Sequence, residues 1–380
     1  MRVVISGGGI AGLTLAAKLR QQGREPIVIE QAESYDEVGY AIGLWPLGSC
    51  VLHGLGCYDE LVARSCQPEV YEFGDHHGGI LQRVPLDAVT AAAGAPIMQV
   101  ARPDLLGILA TACHDVDLRM GTTISGVDEH EDVVTVDLST GGAVEADLLV
   151  LCDGQHSSVR EMVFGPVETF DTHWVIWTWW GADGRLPTTT LREYWGPGRL
   201  FGMYPCPGRT AVGAGFPVGH IPPDASAETI RAKILEANAD LFAADQIAAG
   251  FVDDADEIFG WPMTDLRASS WSEGRIALCG DAGVTFLPTA GVGASNALRG
   301  AAALADELSR ADAKSVGLAL ELYEKRCRHI IEGNQHDSRS LARYMFIENR
   351  TLSWARDQML RHYPPTKMVD QIVESMRTPF

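Results

Sequence analysis

Residues 2–12 read RVVISGGGIAG, and this stretch decides the fold. An apolar run that fits a buried strand ends in a G-x-G-x-x-G turn made by Gly7, Gly9 and Gly12. The first glycine allows the tight turn, the second lets a pyrophosphate approach the backbone, and the third lets the next helix pack on the strand. The start of that helix has unpaired N–H groups and a positive dipole end, which favour an anion. The stretch therefore predicts a dinucleotide-binding βαβ unit.

The next segment supports this interpretation. A helix-like run stops at Gly23, a second apolar strand covers residues 27–29, and Glu30 follows it directly. Glu30 comes roughly 20 residues after the turn, the spacing at which an acidic side chain accepts hydrogen bonds from ribose hydroxyls. A carboxylate there disfavours a 2′-phosphate on the ribose. The remaining alternative is a glycine turn with a purely structural role.

Composition restricts the class of protein. The chain has 380 residues and a net charge of −20, from 50 acidic and 30 basic side chains. The charge should repel nucleic acids and anionic membranes, although it also suits a high-salt cytoplasm. No apolar run reaches the roughly 18 residues that cross a bilayer, and no leader precedes the first strand, so we expect a cytoplasmic protein without stable membrane insertion. The eight cysteines show no metal-ligand spacing, and we expect no metal.

Two later apolar strands also end in polar motifs. Residues 148–152 lead into D-G-x-x-S-x-x-R at 153–160, and residues 275–279 lead into G-D-A at 280–282. The dinucleotide unit is therefore completed by a late return of the chain. Between these two strands lie alternating, aromatic-rich segments with a helical insert, which we interpret as a substrate lobe.

We predict an α/β protein in which a Rossmann-like dinucleotide domain is interleaved with a mostly antiparallel β-sheet substrate domain and followed by C-terminal helices. The predicted boundaries are 1–73, 98–165 and 267–345 for the dinucleotide domain, 74–97 and 166–266 for the substrate domain, and 346–380 for the C-terminal helical segment. The two lobes would enclose a cleft between them.

Residues 174–180 read WVIWTWW and alternate with the period of a strand. The even-numbered residues share one face and the odd-numbered residues share the other. One of these faces could form the wall of an apolar pocket. Sheet core or a subunit contact explains any single tryptophan equally well.

The three motifs together resemble the single-component FAD-dependent aromatic hydroxylases, the family fold of para-hydroxybenzoate hydroxylase. The resemblance covers nearly the whole chain, and its specificity comes from the order of the glycine turn, D-G-x-x-S-x-x-R and G-D-A-x(5)-P-x-x-G-x-G. It implies bound FAD, which NADH or NADPH reduces and which reacts with O2 to a C4a-hydroperoxide that hydroxylates a small, electron-rich aromatic ring. The expected partners are that substrate, O2 and NAD(P)H, with the chain a monomer or a homodimer.

The resemblance also implies the cofactor-binding residues. Arg160 of the middle motif suits phosphate as a planar fork, Asp281 matches the acid that hydrogen-bonds the ribityl chain, and the helix start after Gly291 would face the pyrimidine edge of the flavin. The full set is Gly7, Gly9, Ile10, Ala11, Gly12, Glu30, Gly43, Arg102, Asp153, Gly154, Arg160, Asp281, Pro288, Gly291, Val292, Gly293 and Ala294.

Catalysis would need groups that favour the substrate phenolate, because a phenol becomes a better nucleophile when it loses its proton. The family places such groups on strands of the substrate lobe, and Pro288 matches the family's proline near the reactive face of the flavin. The candidates are Arg192, Tyr194, Tyr204, His173 and Pro288, with His53 as a further candidate. Each side chain alone is more often a surface or core residue.

The chain departs from the family at Val284, Val292 and Arg299, so catalytic detail transfers less well than the flavin site. It has no second G-x-G-x-x-G turn, so NAD(P)H would bind transiently along the cleft. The alternatives are a flavin halogenase or an isoprenoid double-bond reductase on the same fold, and a non-catalytic redox-sensing flavoprotein. The sequence argues only in part against the halogenase. Flavin halogenases carry a W-x-W-x-I-P stretch and a catalytic lysine, whereas here residues 177–182 read WTWWGA and no lysine occurs between Lys18 and Lys233.

Overall fold

The computed structural model describes residues 1–35, 40–130, 132–182, 184–253, 255 and 257–377, so the end of the predicted C-terminal segment lies outside the described residues. The strands are β1 (Val3–Ser6), β2 (Ile27–Ile29), β3 (Ala41–Leu44), β4 (Ser65–Cys66), β5 (Val70–Asp75), β6 (Ile80–Pro85), β7 (Met98–Ala101), β8 (Asp117–Arg119), β9 (Ile124–His130), β10 (Val133–Leu138), β11 (Ala143–Ala146), β12 (Leu148–Leu151), β13 (Glu168–Ala182), β14 (Thr190–Gly196), β15 (Arg199–Cys206), β16 (Arg209–Pro217), β17 (Phe259–Arg267), β18 (Ser272–Glu273) and β19 (Ile276–Leu278).

The helices are α1 (Ile10–Gln21), α2 (Pro46–Gly54), α3 (Tyr58–Ala63), α4 (Asp87–Ala93), α5 (Arg102–Ala112), α6 (Ser158–Phe164), α7 (Ala227–Ala237), α8 (Ala239–Ala244), α9 (Gln246–Asp253), α10 (Gly293–Ser309), α11 (Val316–Met345), α12 (Arg350–His362) and α13 (Pro365–Arg377). Short 3-10 turns cover Gly280–Ala282 and Pro288–Ala290. Among the described residues, no helix combines the length and the apolar character needed to cross a membrane.

A parallel sheet in the order β19-β12-β1-β2-β8 carries the three motifs, with β18 paired antiparallel at its edge. Val4 lies opposite Leu149 on one side and Ile27 on the other, and Leu149 lies opposite Ile276. The late segment therefore does join the first strands, as the sequence predicts. Since these strands run in the same direction, the segments that follow β1, β12 and β19 all leave the same edge of the sheet.

A mixed sheet in the order β17-β13-β16-β15-β14-β5-β6 forms the second layer. Strands β5 and β14 are parallel, and every other pair of neighbouring strands in this sheet is antiparallel. The predicted alternation in β13 is present. Trp177 and Trp179 belong to an apolar cluster with α7, α8 and α9, on what we call the outer face. Trp174 and Ile176 belong to a different cluster, which includes Leu287 just before the Pro288 turn, and this is the inner face.

The C-terminal helices are part of the core. Leu360 of α12 and Val369 and Val373 of α13 are buried in the same cluster as Trp174, so this segment covers one end of the inner face. The architecture confirms the predicted α/β class with a parallel dinucleotide-type sheet, a largely antiparallel second sheet and C-terminal helices.

Candidate active site

The glycine turn after β1 borders an open space. Gly7 has a φ of +96°, and a Cβ there would lie 2.5 Å from the carbonyl oxygen of Cys152. A Cβ at Gly12 would overlap the carbonyl oxygen of Gly7, whereas a Cβ at Gly9 would meet no atom within 4 Å. The fold itself therefore requires Gly7 and Gly12, while Gly9 leaves room in front of the helix for a bound group.

Helix α1 starts at this space without a cap. Its N-cap residue is Gly9, which offers no side-chain acceptor, and its first turn contains no acidic residue. The N–H groups at Ile10 and Ala11 are thus met by neither a capping oxygen nor a carboxylate of their own turn. Such a helix end attracts an anion, because the free donors and the positive end of the dipole act together.

Glu30 lies at the end of β2, beside the same turn. Its Oε2 accepts a hydrogen bond from the Gly8 backbone N–H at 2.6 Å, and its Oε1 accepts one from Ala32 at 2.8 Å. These bonds fix the carboxylate where β2 leaves the sheet. The Tyr35 hydroxyl beside it is buried with no hydrogen-bond partner among the described residues, and burial and the charge of Glu30 raise the pKa of Tyr35.

Asp153 follows β12 and faces the same edge. One of its carboxylate oxygens, Oδ1, is buried and has no partner among the described residues. Burial raises the pKa of Asp153, while hydrogen bonds from Ser157 and Ser6 act in the opposite direction. The adjacent Gly154 has a φ of +84° and no atom within 4 Å of the position of a Cβ. The orphaned oxygen and the open space at Gly154 fit a bound polar group.

Arg160 connects the second motif to the third. Its side chain is buried: Nη1 donates to the Ala282 carbonyl at 3.0 Å and Nη2 donates to the Gln155 carbonyl at 2.9 Å. Its backbone N–H donates to the Ser157 side chain, which caps α6. Two of its guanidinium nitrogens are thus bound to backbone carbonyls and join two loops, while Nε is buried without a hydrogen-bond partner among the described residues. The contact between Arg160 and phosphate stays a prediction.

Asp281 follows Gly280, whose φ is +63°, in the turn after β19. The Asp281 side chain is exposed to solvent in the open cleft. The protein atoms that surround it raise its pKa to about 6, and the Arg102 guanidinium acts in the opposite direction. Arg102 starts α5, and its backbone N–H donates to the Tyr40 carbonyl at 2.9 Å. Enclosure and the charge of Asp281 raise the pKa of Tyr40. These groups form one side of the cleft.

The Pro288 turn leads into α10. Gly291 has a φ of +62°, and Val292 serves as the N-cap of α10, which has no capping side chain and no acidic residue in its first turn. The N–H groups at Gly293 and Ala294 are therefore left for a bound group, as at the start of α1.

Trp45 closes this side of the cleft. Its Nε1 lies 3.5 Å from the position of a Cβ at Gly291, and its backbone N–H donates to Ser295 at 3.1 Å. Nearby, the amide nitrogen of Gln99 lies 3.0 Å from the position of a Cβ at Gly43. The loops after β3, β7 and β19 therefore converge on one place.

Two of the predicted catalytic residues lie on the outer face of the mixed sheet. Arg192 donates to Glu72 at 2.7 Å and to Asp245 at 3.0 Å, and the Tyr194 hydroxyl donates to Asp245 at 2.6 Å. Asp245 joins α8 to α9, and Tyr194 belongs to the outer cluster. The structure thus brings Arg192 and Tyr194 together with each other, and away from Leu287 and the Pro288 turn.

Tyr204 lies on the inner face, as part of a cluster around Glu193. Glu193 is 4% exposed and its Oε1 accepts hydrogen bonds from the hydroxyls of Tyr204 and Tyr71, each at 2.5 Å. Its Oε2 accepts one from Trp195 Nε1 at 2.7 Å. Strand β15, which carries Tyr204, contacts β7 and β4, the strands that border the cofactor side of the cleft.

The two histidine candidates are on the surface. His173 lies in an irregularity of β13 with a φ of +60°, and its side chain is 84% exposed beside Asp171. His53 is exposed in α2 and its ring contacts Tyr58. Neither histidine joins the Glu193 cluster or the inner face.

Sequence reasoning missed Glu193, Tyr71 and Tyr35. A signal for Glu193 was present, because it lies between Arg192 and Tyr194 and must face the other side of the strand. Nothing in the sequence shows which side faces the cleft. Tyr71 joins the cluster only because β5 pairs with β14 in parallel, which places Tyr71 opposite Leu191 and next to Glu193.

Comparisons with known proteins agree with this geometry. Residues 1–337 match the family model described as FAD binding domain. A 3-amino-4-hydroxybenzoate 2-monooxygenase of Streptomyces platensis is 31% identical over 333 residues, which cover 85% of this chain and 83% of the relative. A 6-hydroxynicotinate 3-monooxygenase of Bordetella bronchiseptica is 26% identical, with 85% of this chain and 86% of the relative covered.

Solved structures share the fold. Klebsiella pneumoniae HpxO in complex with FAD and uric acid has a TM-score of 0.90 at 23% identity, covering 99% of this chain and 96% of that chain. The tetrameric form of 2-methyl-3-hydroxypyridine-5-carboxylic acid oxygenase has a TM-score of 0.78 at 24% identity, covering 96% of this chain and 97% of that chain.

The chain belongs to the FAD binding domain family, and it is an FAD-dependent monooxygenase of the aromatic hydroxylase type. FAD is its cofactor, as the three motifs predict. The monooxygenase prediction is thereby confirmed, and the two named relatives are monooxygenases and not halogenases or double-bond reductases.

Proposed function

We propose that this enzyme uses NADH or NADPH and O2 to hydroxylate a small, planar aromatic ring that carries hydroxyl or amino groups. The observation that carries the proposal is the meeting of two surfaces. The inner face of the mixed sheet packs, through Leu287 and Trp45, directly against the Pro288 turn and the start of α10. A ring held on that face would lie next to the segment that we assign to the reactive part of FAD.

FAD would be held by the two helix starts and the polar groups around them. The open space at Gly9 and the N–H groups of Ile10 and Ala11 would take the pyrophosphate. Glu30 and Tyr35 would bind ribose hydroxyls, and the orphaned Oδ1 of Asp153 would accept from the cofactor. The other proposed contacts are Gly7, Gly12, Gly43, Arg102, Gly154, Arg160, Asp281, Pro288, Gly291, Val292, Gly293 and Ala294.

Bound FAD supplies the redox chemistry, by accepting a hydride and activating O2. The protein's part is to place the substrate and to keep water out of the site. Trp174, Met263 and Leu287 provide buried apolar surface on the inner face. The positive end of α10 would stabilise negative charge that gathers nearby on reduction.

The domain assignment follows from the same argument. We propose that 1–73, 98–165 and 267–345 form the FAD-binding domain and that 74–97 and 166–266 form the substrate domain. NAD(P)H would bind transiently along the cleft, because the sequence offers no second glycine turn for it. We also propose a cytoplasmic monomer or homodimer. Sedimentation of the purified protein would decide between the two assemblies.

The test is turnover with a panel of aromatic compounds. The named relatives act on 3-amino-4-hydroxybenzoate and 6-hydroxynicotinate, so the panel should hold aminophenols, hydroxybenzoates, hydroxypyridines and oxidised purines. A true substrate should accelerate NADH or NADPH oxidation by about tenfold or more, and the product should gain one oxygen atom by mass. Oxidation that no compound accelerates, with hydrogen peroxide as the sole product, would contradict the proposed substrate class.

A further inference from the structure

In the Glu193 cluster, every side-chain donor is used on Glu193, and only acceptors remain. Each tyrosine hydroxyl carries one proton, and those of Tyr71 and Tyr204 are both directed at Glu193. The Trp195 N–H is also used on Glu193. The groups of this cluster therefore have no donor left to offer, while the tyrosine oxygens keep free lone pairs. Tyr71 and Tyr204 are half-buried, whereas Glu193 is buried, so a ligand would meet the tyrosines before it met Glu193.

The protons stay on the tyrosines. Burial and the adjacent Glu193 carboxylate hold the pKa values of Tyr71 and Tyr204 well above their usual range. Burial raises the pKa of Glu193 as well, against the three hydrogen bonds that lower it. The cluster thus presents oxygen acceptors backed by a carboxyl group, with no cation of its own.

The arginines packed around the sheet do not add donors to the Glu193 cluster, because they bind other carboxylates. The pairs are Arg192 with Glu72 and Asp245, Arg339 with Asp265, and Arg356 with Asp357. Glu72 differs from Glu193 in this respect. It lies one residue from Tyr71, but it accepts hydrogen bonds from Arg83 and Arg192 on the outer face. A ligand carboxylate at the cluster would find acceptors in place of donors.

Glycines occupy the strands beside Glu193 on the inner face. Glu193 lies opposite Gly202, which lies opposite Gly213, which in turn lies opposite Thr178. Gly202 is required because a Cβ there would overlap the Tyr204 hydroxyl on its way to Glu193. At Gly213 the nearest atom to a Cβ would be Cγ2 of Ile176, at 3.5 Å. Gly202 thus lets the Tyr204 hydroxyl reach Glu193, and no side chain rises from Gly213 beside it.

We propose that the acceptor cluster of Glu193, Tyr71 and Tyr204 sets the substrate specificity: it accepts a ring that presents an O–H or N–H donor, and it excludes a ring with a carboxylate at that position. Tyr71 and Tyr204 would contact the substrate, and Glu193 acts through them as a positioning residue. The inference rests on the hydroxylase function proposed above and narrows it to amino- and hydroxyaromatics without an acidic group at this point.

The test measures binding to the oxidised holoenzyme, by the change in flavin absorbance, with 2-aminophenol and 2-hydroxybenzoate. These probes differ at the group next to the hydroxyl, an amine in one and a carboxylate in the other. We expect 2-aminophenol to bind at least about tenfold more tightly. In Glu193→Gln, the amide nitrogen donates to a tyrosine oxygen, and that tyrosine hydroxyl is then free to donate into the cleft. The ratio of the affinity for 2-aminophenol to that for 2-hydroxybenzoate should therefore fall about tenfold or reverse.

Glu72→Gln is the matched control, because it removes a buried carboxylate from the outer face of the same sheet and should keep the wild-type ratio. If Glu193→Gln does not retain FAD, Tyr204→Phe replaces it and should weaken 2-aminophenol about threefold or more with little effect on 2-hydroxybenzoate. Any of three results would overturn the proposal. The wild type could bind 2-hydroxybenzoate as tightly as 2-aminophenol or more tightly, or it could fail to bind 2-aminophenol. The ratio of the two dissociation constants could also be the same in Glu193→Gln and Glu72→Gln. Because no turnover is needed, such a result is separate from a failure of the hydroxylase assay.

Discussion

The two walls of the cleft are built in different ways. The cofactor wall, formed by the carboxyl edge of the parallel sheet and the starts of α1 and α10, depends on backbone: at Gly7 and Gly12 a side chain would collide with main-chain atoms. The substrate wall, formed by the inner face of the mixed sheet, depends on side chains such as Glu193 and Tyr204. A backbone requirement fixes residue identity, whereas a side-chain site depends on which face of a strand the fold turns inward.

The largest expected effect tests the backbone character of the cofactor wall. Gly12→Ala places a Cβ on the Gly7 carbonyl oxygen, so it should cost about 4 kcal/mol or more and yield little folded protein. Gly9→Ala meets no atom within 4 Å, so it should fold normally but lose FAD affinity, because its methyl group fills the space of the pyrophosphate. Circular dichroism and flavin content measure the two effects separately. Full FAD binding by Gly9→Ala would place the pyrophosphate elsewhere.

The second prediction concerns the outer face of the mixed sheet. Arg192→Met leaves Glu72 and Asp245, which are 9% and 10% exposed, without their shared cation. Loss of one partner of a mostly buried pair should lower the free energy of unfolding by about 2 kcal/mol, measured by urea denaturation. The KM for the aromatic substrate should stay within about twofold, because Arg192 faces α8 and α9. A large rise in KM at unchanged stability would instead give Arg192 the substrate role that the sequence suggests.

The cofactor wall was largely predictable from the sequence. The βαβ unit, the strand before Asp153 and the helix after Gly291 were all expected, because glycines, apolar runs and chain order record them directly. The use of the Arg160 guanidinium was not predictable, since its Ala282 carbonyl partner is more than a hundred residues away. The contribution of the C-terminal helices to the core was not predictable either, because it depends on long-range packing.

The substrate wall was predictable in pattern but not in orientation. Alternation correctly separates Arg192 and Tyr194 from Glu193, and correctly divides the tryptophans of β13. It cannot show that α7, α8 and α9 cover the face that carries Arg192. The buried carboxyl group at Glu193 also depends on Tyr71, which a parallel pairing of distant strands brings beside β14.

The third prediction uses the pKa of Asp281, which enclosure raises to about 6. Ribityl hydroxyls would donate to the carboxylate, so FAD binding favours the ionised form, and affinity should fall about fivefold as the pH drops from about 6 to about 5. Asp281→Asn should remove this dependence. Quenching of flavin fluorescence on adding FAD to the FAD-free protein measures it, and an unchanged slope in the variant would assign the effect to another group.

The folding of the FAD-free protein should respond to Asp281 with the opposite sign. The folded form holds the proton more tightly than the unfolded chain, whose aspartate titrates near its ordinary pKa of 3.8. Stability from this group is therefore present below about 4 and lost as the pH rises towards 6. A comparison of wild type with Asp281→Asn over this interval separates the effect on folding from that on FAD.

The smallest effect gives the sharpest comparison of the two faces. Tyr194→Phe and Tyr204→Phe each remove one hydroxyl that donates to a carboxylate, at 2.6 Å to Asp245 and at 2.5 Å to Glu193. Each should lower the free energy of unfolding by about 1 kcal/mol, because the chemical change is the same and both acceptors keep other donors. The KM for the aromatic substrate should rise only in Tyr204→Phe, since only Tyr204 lies on the inner face and in the proposed acceptor cluster. If both variants raised KM equally, the effect would come from a general loosening of β14 and β15, and the distinction between an inner substrate face and an outer structural face would fail.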